Sequence, residues 1–126
     1  MSSNTVFRTC PTTGLKVDLA AEKLIKANAV AAVIFLAIGG LFGLLVAMTR
    51  WPEVHLLPAD WFYLALTAHG LDVLLVWIIF FEMAVLYFAS AVLLNCRLAG
   101  PRWAWTGFAL MLVGALITNV VVLQGG

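Results

Sequence analysis

The chain has 126 residues, 64% of them hydrophobic and 10% charged, with a mean hydropathy of +1.08. A soluble domain of this length needs far more polar surface, so the composition excludes one and points to an integral membrane protein. A formal net charge of +1, with the charges gathered at the ends of apolar stretches, leaves no basic patch that would bind nucleic acid.

Residues 1–26 come first and hold Arg8, Lys16, Asp18, Glu22, Lys23 and Lys26, with Pro11 and Gly14 breaking any early helix. They are expected to form a short cytoplasmic arm with an interfacial turn. A secretory signal is a poor alternative, because its charged region is short and runs directly into a brief apolar core with a small-residue cleavage site.

Residues 27–49 form the first predicted transmembrane helix, long enough at ~1.5 Å per residue to cross the ~30 Å hydrocarbon core. Gly39, Gly40 and Gly43 fall within it, and Gly39 to Gly43 is a small-xxx-small spacing. Such a spacing lets a neighbouring backbone, or a flat cofactor, come close. Residues 50–60 carry two prolines and Trp51 and read as a loop at the outer water boundary. Asp60 is expected to cap the next helix, and His55 to be a solvated loop residue.

The second predicted helix covers residues 61–94 and would run ~50 Å, so it must tilt or project. A cytoplasmic loop follows over 95–102. A third helix spans 103–123, interrupted by Gly107, Gly114 and Asn119, and 124–126 form an outer tail. Basic residues favour the arm and the second loop (Arg97, Arg102) over the first loop (Arg50), which orients the N-terminus to the cytoplasm. Cys10 and Cys96 lie near that same face as small boundary residues, with no disulfide framework or metal motif.

His69 stands in Leu66-Thr67-Ala68-His69-Gly70, roughly 12 Å along the second helix from its outer end. An intramembrane histidine is costly to leave unpaired and marks a functional site, a haem iron being the first candidate partner. Asp72, at ~100° per residue, falls on nearly the same face as His69, where it could orient the ring or lie near a haem propionate; Glu82 falls about 140° from His69. These two carboxyls cannot serve one site and are candidates for a proton path or for bonds to neighbouring helices. The aromatic residues Phe62, Tyr63, Trp77, Phe80, Phe81, Tyr87 and Phe88 either pack helices together or wall a macrocycle.

The run 66–70, the following Trp77-Ile78-Ile79-Phe80-Phe81-Glu82 and the glycine-rich first helix ending in Leu41-Phe42-Gly43 together resemble the N-terminal part of subunit I of the haem-copper oxidases, from about Lys23 onward. The resemblance implies an all-α membrane protein whose three transmembrane helices are part of a larger twelve-helix-type bundle. It gives His69, and no other histidine here, the role of axial ligand to a low-spin haem of b or a type, with Gly39 and Gly43 as possible clearance for it.

The loop 95–102 lacks the Asp-Met-Ala-Phe-Pro-Arg pattern that supplies a proton-channel aspartate in mitochondrial-like members. The chain therefore looks closer to the B-type group, although nitric oxide-reducing relatives share the scaffold. The second haem ligand and the copper ligands lie on later helices of the family. The chain is thus expected to act as the first segment of a terminal oxidase subunit I in a bacterial or archaeal cytoplasmic membrane.

The expected partners are the remaining helices on another polypeptide, a subunit II with electron-donor copper or a cytochrome c, and membrane lipid. Oxygen reduction and proton pumping would then belong to the complex and not to the chain alone. Two other readings stay open: a small haem-b electron-transfer protein in which a dimer, joined through the first helix's glycines, shares one haem, and a non-redox membrane scaffold.

Overall fold

The computed structural model describes residues 6–125; residues 1–5 of the arm and Gly126 of the tail lie outside the described residues. The arm is more ordered than its polar composition indicates. Strands β1 (Phe7–Thr9) and β2 (Lys16–Asp18) pair antiparallel, with Phe7 opposite Asp18 and Thr9 opposite Lys16. Gly14 closes the connection at φ 69°, a left-handed conformation that glycine adopts without strain, and Cys10 donates its amide to the Leu15 carbonyl at 2.9 Å. Three-residue strands are too short to show a period of two, so the hairpin had no sequence signal.

The first helix runs Leu19–Arg50 and so begins well before residue 27. Residues 19–26 are mostly strong helix formers, and Asp18 caps them by accepting from the Ala20 amide at 3.4 Å. Glu22 pairs with Lys26 one turn on, at 2.6 Å, and with Arg8 of the hairpin, at 2.9 Å. Polar side chains end a hydrocarbon span but do not end a helix, which explains the longer element.

A loop over residues 51–58 turns the chain back. His55 sits there, exposed, at φ 42° with Nδ1 3.3 Å from the Pro52 carbonyl. The second helix, Ala59–Leu93, starts one residue before Asp60. The cap is Pro58, whose extended backbone (ψ 161°) presents its carbonyl to the Phe62 amide at 2.9 Å, and Asp60 lies inside the first turn. The expectation that Asp60 caps this helix is therefore corrected, although its carboxylate still meets the positive end of the helix dipole.

This long helix widens into π-helical turns at Asp72–Val76 and Ala89–Leu93. The first inserts about one extra residue between His69 and Glu82, rotating everything beyond by roughly 100° relative to an ideal α-helix. The two residues stay on different faces, about 120° apart in place of 140°. Gly100, left-handed at φ 64°, and Pro101 at the first helical position then launch the third helix, Pro101–Leu123.

All three helices are long and apolar enough to cross a membrane. Gly43 meets His69, Gly39 meets Asp72 and Phe35 meets Phe80, so the first two helices run antiparallel. Their core is Ala31, Ala32, Phe35, Val76 and Phe80, against which Phe108 and Met111 of the third helix pack. The Phe35 and Phe80 rings stack at 5.6 Å, and Phe108 meets Phe80 edge-on at 5.9 Å. Asp18 Oδ2 accepts from the Leu98 amide at 3.0 Å, tying the loop between the last two helices to the hairpin end of the bundle.

Candidate functional site

The first two helices approach closely around His69 because two glycines leave room. A Cβ built on Gly43 would lie 2.7 Å from His69 Cε1 and 2.8 Å from Nδ1; one on Gly39 would lie 2.7 Å from Val73 Cγ2 and 2.9 Å from Asp72 Cβ. Any side chain at either position would collide with the second helix. The clearance at Gly39 and Gly43 is thus filled by side chains of this same chain, whereas Gly40 faces open space.

The ring of His69, half-buried, is held by its Nδ1, 2.8 Å from the Gly39 carbonyl oxygen. A carbonyl only accepts, so Nδ1 carries a proton, and in the neutral imidazole Nε2 is the nitrogen that keeps its lone pair. Nε2 has no hydrogen-bond partner among the described residues, and the buried unpaired side-chain atoms are Asn28 Oδ1 and Asp72 Oδ2, so Nε2 is not sealed inside the three helices. A neutral imidazole fixed through one nitrogen and free at the other is the arrangement that metal-ligating histidines adopt.

Asp72 does not orient that ring. It is fully buried, and its Oδ1 accepts from Asn119 Nδ2 of the third helix at 2.8 Å. The suggested pairing of Asp72 with His69 is therefore corrected: the Gly39 carbonyl holds the imidazole, and Asp72 ties the second helix to the third. Asn119 stood in the sequence only as an interruption in an apolar stretch, and a lone amide at such a position is the signal that would have found it. Asn28, also buried, donates Nδ2 to the Leu24 carbonyl at 2.9 Å.

Glu82 lies far from this group. It is exposed on the second helix, ~20 Å along the axis from His69, among Phe81, Val85 and Leu86. Thr67 is occupied locally, donating to the Tyr63 carbonyl at 2.9 Å. Of the aromatic side chains, Phe80 is spent on the core, while Tyr63, Phe81 and Phe88 are exposed. Apolar hollows of about 310 Å³ and 470 Å³ flank the third helix, and neither is lined by His69. At the hairpin, hydrogen bonds from the Thr13 side chain, then from the amides of Thr13 and Thr12, draw the Cys10 thiol down to about 7.

The donor set fits one axial position of a haem, since His69 Nε2 is free, oriented and of the correct chemistry. Among the described residues no three His, Cys, Asp or Glu side chains converge as a metal site. A family model described as Cytochrome C and Quinol oxidase polypeptide I matches residues 23–126. The chain belongs to this oxidase subunit I family. No curated protein and no solved structure matches it.

The match takes in nearly all of the first helix and the whole of the other two, as the resemblance from Lys23 onward implied, and it leaves the β1–β2 hairpin outside. The three apolar helices are those of a multi-pass membrane protein of the subunit I family.

Proposed function

We propose that this subunit I chain holds a low-spin haem, of b or a type, through His69 Nε2, within a membrane oxidase whose haem-copper centre is completed by residues outside these three helices. The observation that carries the reading is the Nδ1–Gly39 bond, which fixes the proton on one ring nitrogen and leaves the other as a directed lone pair. Bound there, the haem would supply reversible one-electron carriage.

The chain's own residues do the rest. Gly43 gives the imidazole room, and the Gly39 carbonyl sets its tautomer and orientation. The arm is read as cytoplasmic, since Arg8, Lys16, Lys23 and Lys26 share the bundle end with the loop bearing Arg97. That places His69 in the outer half of a bacterial or archaeal cytoplasmic membrane, within reach of electrons from a subunit II copper or a cytochrome c.

Oxygen reduction and proton movement belong to the assembled complex. A proton route through Asp72 or Glu82 needs groups from other helices, because Asp72 meets Asn119 in an otherwise apolar setting and Glu82 opens away from the bundle. The alternative of a dimer sharing one haem loses its supporting surface, since Gly39 and Gly43 are already packed against the second helix.

The test is a reduced-minus-oxidised visible spectrum of the complex purified from membranes, with and without His69→Gln. A low-spin band in the parent that vanishes in the variant is the expected result. An unchanged band in His69→Gln, or no band in the parent, would overturn haem ligation by this residue.

A further inference from the structure

Two hollows meet at Lys26. One is a cleft of about 310 Å³ beside the β1–β2 hairpin, lined by Val17, Ile25, Phe88 and Val92 and by the charged side chains of Arg8, Glu22 and Lys26. The other, of about 470 Å³, is a groove between the first and third helices, with Val30, Ile34 and Ile38 on one wall and Phe108, Leu112 and Leu116 on the other. Glu22, Lys26, Val30, Ile34 and Ile38 are spaced four apart and so form one row along the first helix, which joins the cleft to the groove.

The charges at the hairpin end do not balance. Arg8 Nη2 and Lys26 Nζ both donate to Oε1 of Glu22, at 2.9 and 2.6 Å, and Arg8 Nε donates to Oε2 at 3.2 Å. Two cations thus converge on a single carboxylate, and Asp18 nearby is spent on the Ala20 and Leu98 amides. With the Arg8 and Lys26 side chains 48% and 71% exposed, their other N–H groups stay open to a further acceptor. A guanidinium beside an ammonium suits the oxygens of a phosphodiester.

The apolar end has a matching length. From Lys26 to Ile38 the helix rises roughly 18 Å, close to the ~15 Å of hydrocarbon in one leaflet. Lys26 is the last charged residue before the apolar stretch that starts at Ala27, so the cations stand at the water boundary and the groove runs inward from them. A protein segment lying on the groove would need no anion site at its end. A lipid needs both, an anion site at the boundary and an apolar run of one leaflet below it.

We propose that this row seats one anionic phospholipid of the leaflet on the hairpin side, its phosphate on Arg8 and Lys26 and one acyl chain in the groove between the first and third helices. That face is the one read above as cytoplasmic, where anionic lipids gather and basic pockets between helices hold their headgroups. Arg8 and the hairpin lie outside residues 23–126, the stretch shared with the oxidase family, so half of the phosphate seat is this chain's own. The site stands independently of haem at His69.

Cys10 reports on occupancy. It and Thr13 line the cleft, and hydrogen bonds from Thr13 hold the thiol at about 7, so it is partly thiolate at neutral pH and reacts readily. A phosphate seated there covers the sulfur and disfavours the thiolate. The experiment takes the complex purified from membranes, washed free of lipid and placed in phosphatidylcholine vesicles with increasing shares of phosphatidylglycerol. Alkylation of Cys10 by uncharged N-ethylmaleimide is followed by peptide mass spectrometry, with exposed Cys96 as the internal reference.

Phosphatidylglycerol is expected to slow Cys10 and not Cys96. The share that gives half protection should rise about fivefold in Lys26→Gln and in Arg8→Gln and fall about fivefold in Glu22→Gln, the factor for one charge at a membrane surface. Ile34→Trp, which fills the groove, should also raise it, whereas Leu110→Trp, exposed on the third helix away from both hollows, should not. No protection in the parent, equal protection of Cys96, or an unchanged midpoint in Lys26→Gln would overturn the proposal. So would protection by inorganic phosphate alone in phosphatidylcholine vesicles, or equal midpoints for Ile34→Trp and the parent. Should Arg8→Gln loosen the hairpin, Lys26→Gln decides, because Lys26 stands outside it.

Discussion

At the scale of single residues, Gly43 and Gly39 act on His69 in different ways, one by lacking a side chain and the other through its carbonyl. The collision a Cβ at Gly43 would make, 2.7 Å from Cε1, involves a ring already pinned at Nδ1, so the ring cannot swing aside without breaking its bond to Gly39. Gly43→Ala is therefore expected to cost about 1–3 kcal/mol, as overpacking of a fitted site does, and to lower the haem carried per chain while shifting its low-spin band. Gly40→Ala is the matched control. Its Cβ meets nothing within 4 Å, so haem content and spectrum are expected to stay as in the parent. Equal effects of the two substitutions would show that helix propensity, not the seat of the imidazole, is responsible.

At the scale of elements, the Asp72–Asn119 bond joins the second and third helices beside an apolar contact in which Phe108 and Met111 pack on Phe80 and its neighbours. None of the third helix's residues is buried, so its position depends on a few contacts, this bond and the Phe80–Phe108 pair among them. Asn119→Leu leaves a buried carboxyl with neither oxygen bonded to the third helix and is expected to destabilise the bundle by about 1–2 kcal/mol. Adding Asp72→Leu removes the orphaned acceptor and should recover most of that loss, because apolar replacement of both partners is close to neutral. Thermal unfolding of the two single variants and the double variant in detergent reads the coupling directly. Additive losses would show that the bond does not join the helices.

The hairpin and the long second helix show why some elements were legible in the sequence and others were not. Hydropathy reports residues 27–49 as a span, and the helix indeed contains them, but its first two turns carry the charges of Glu22, Lys23 and Lys26, and their helical start is marked by Asp18, the capping side chain. The π-helical turn at Asp72–Val76 has no composition of its own, so rotation angles counted from an ideal helix drifted beyond it. Asp60 met every local condition for a cap, yet Pro58 took the position, since its extended backbone turned the chain two residues sooner.

At the scale of the whole molecule, Asp18 links parts that are far apart in the chain. It ends β2, caps the first helix and accepts from the Leu98 amide, a contact spanning 80 residues, while being almost fully buried. Asp18→Ala removes the cap and leaves that amide unpaired, at an expected cost of about 1 kcal/mol. The visible consequence should be faster proteolysis in the loop over residues 94–100, by roughly fivefold if cleavage follows the open population. An unchanged cleavage rate would mean that the loop is held by other contacts.

The number of spans, their order, the family and the singling out of His69 all followed from the sequence alone. Partition between water and hydrocarbon acts on each segment separately, and an intramembrane histidine is costly wherever its neighbours lie. Which atom holds that histidine, which carboxyl is buried and which faces outward were decided by tertiary approach. Gly39 and His69 lie 30 residues apart and Asp72 and Asn119 lie 47 apart, and contacts at such separations follow from how helices pack, a geometry that leaves no period in the sequence.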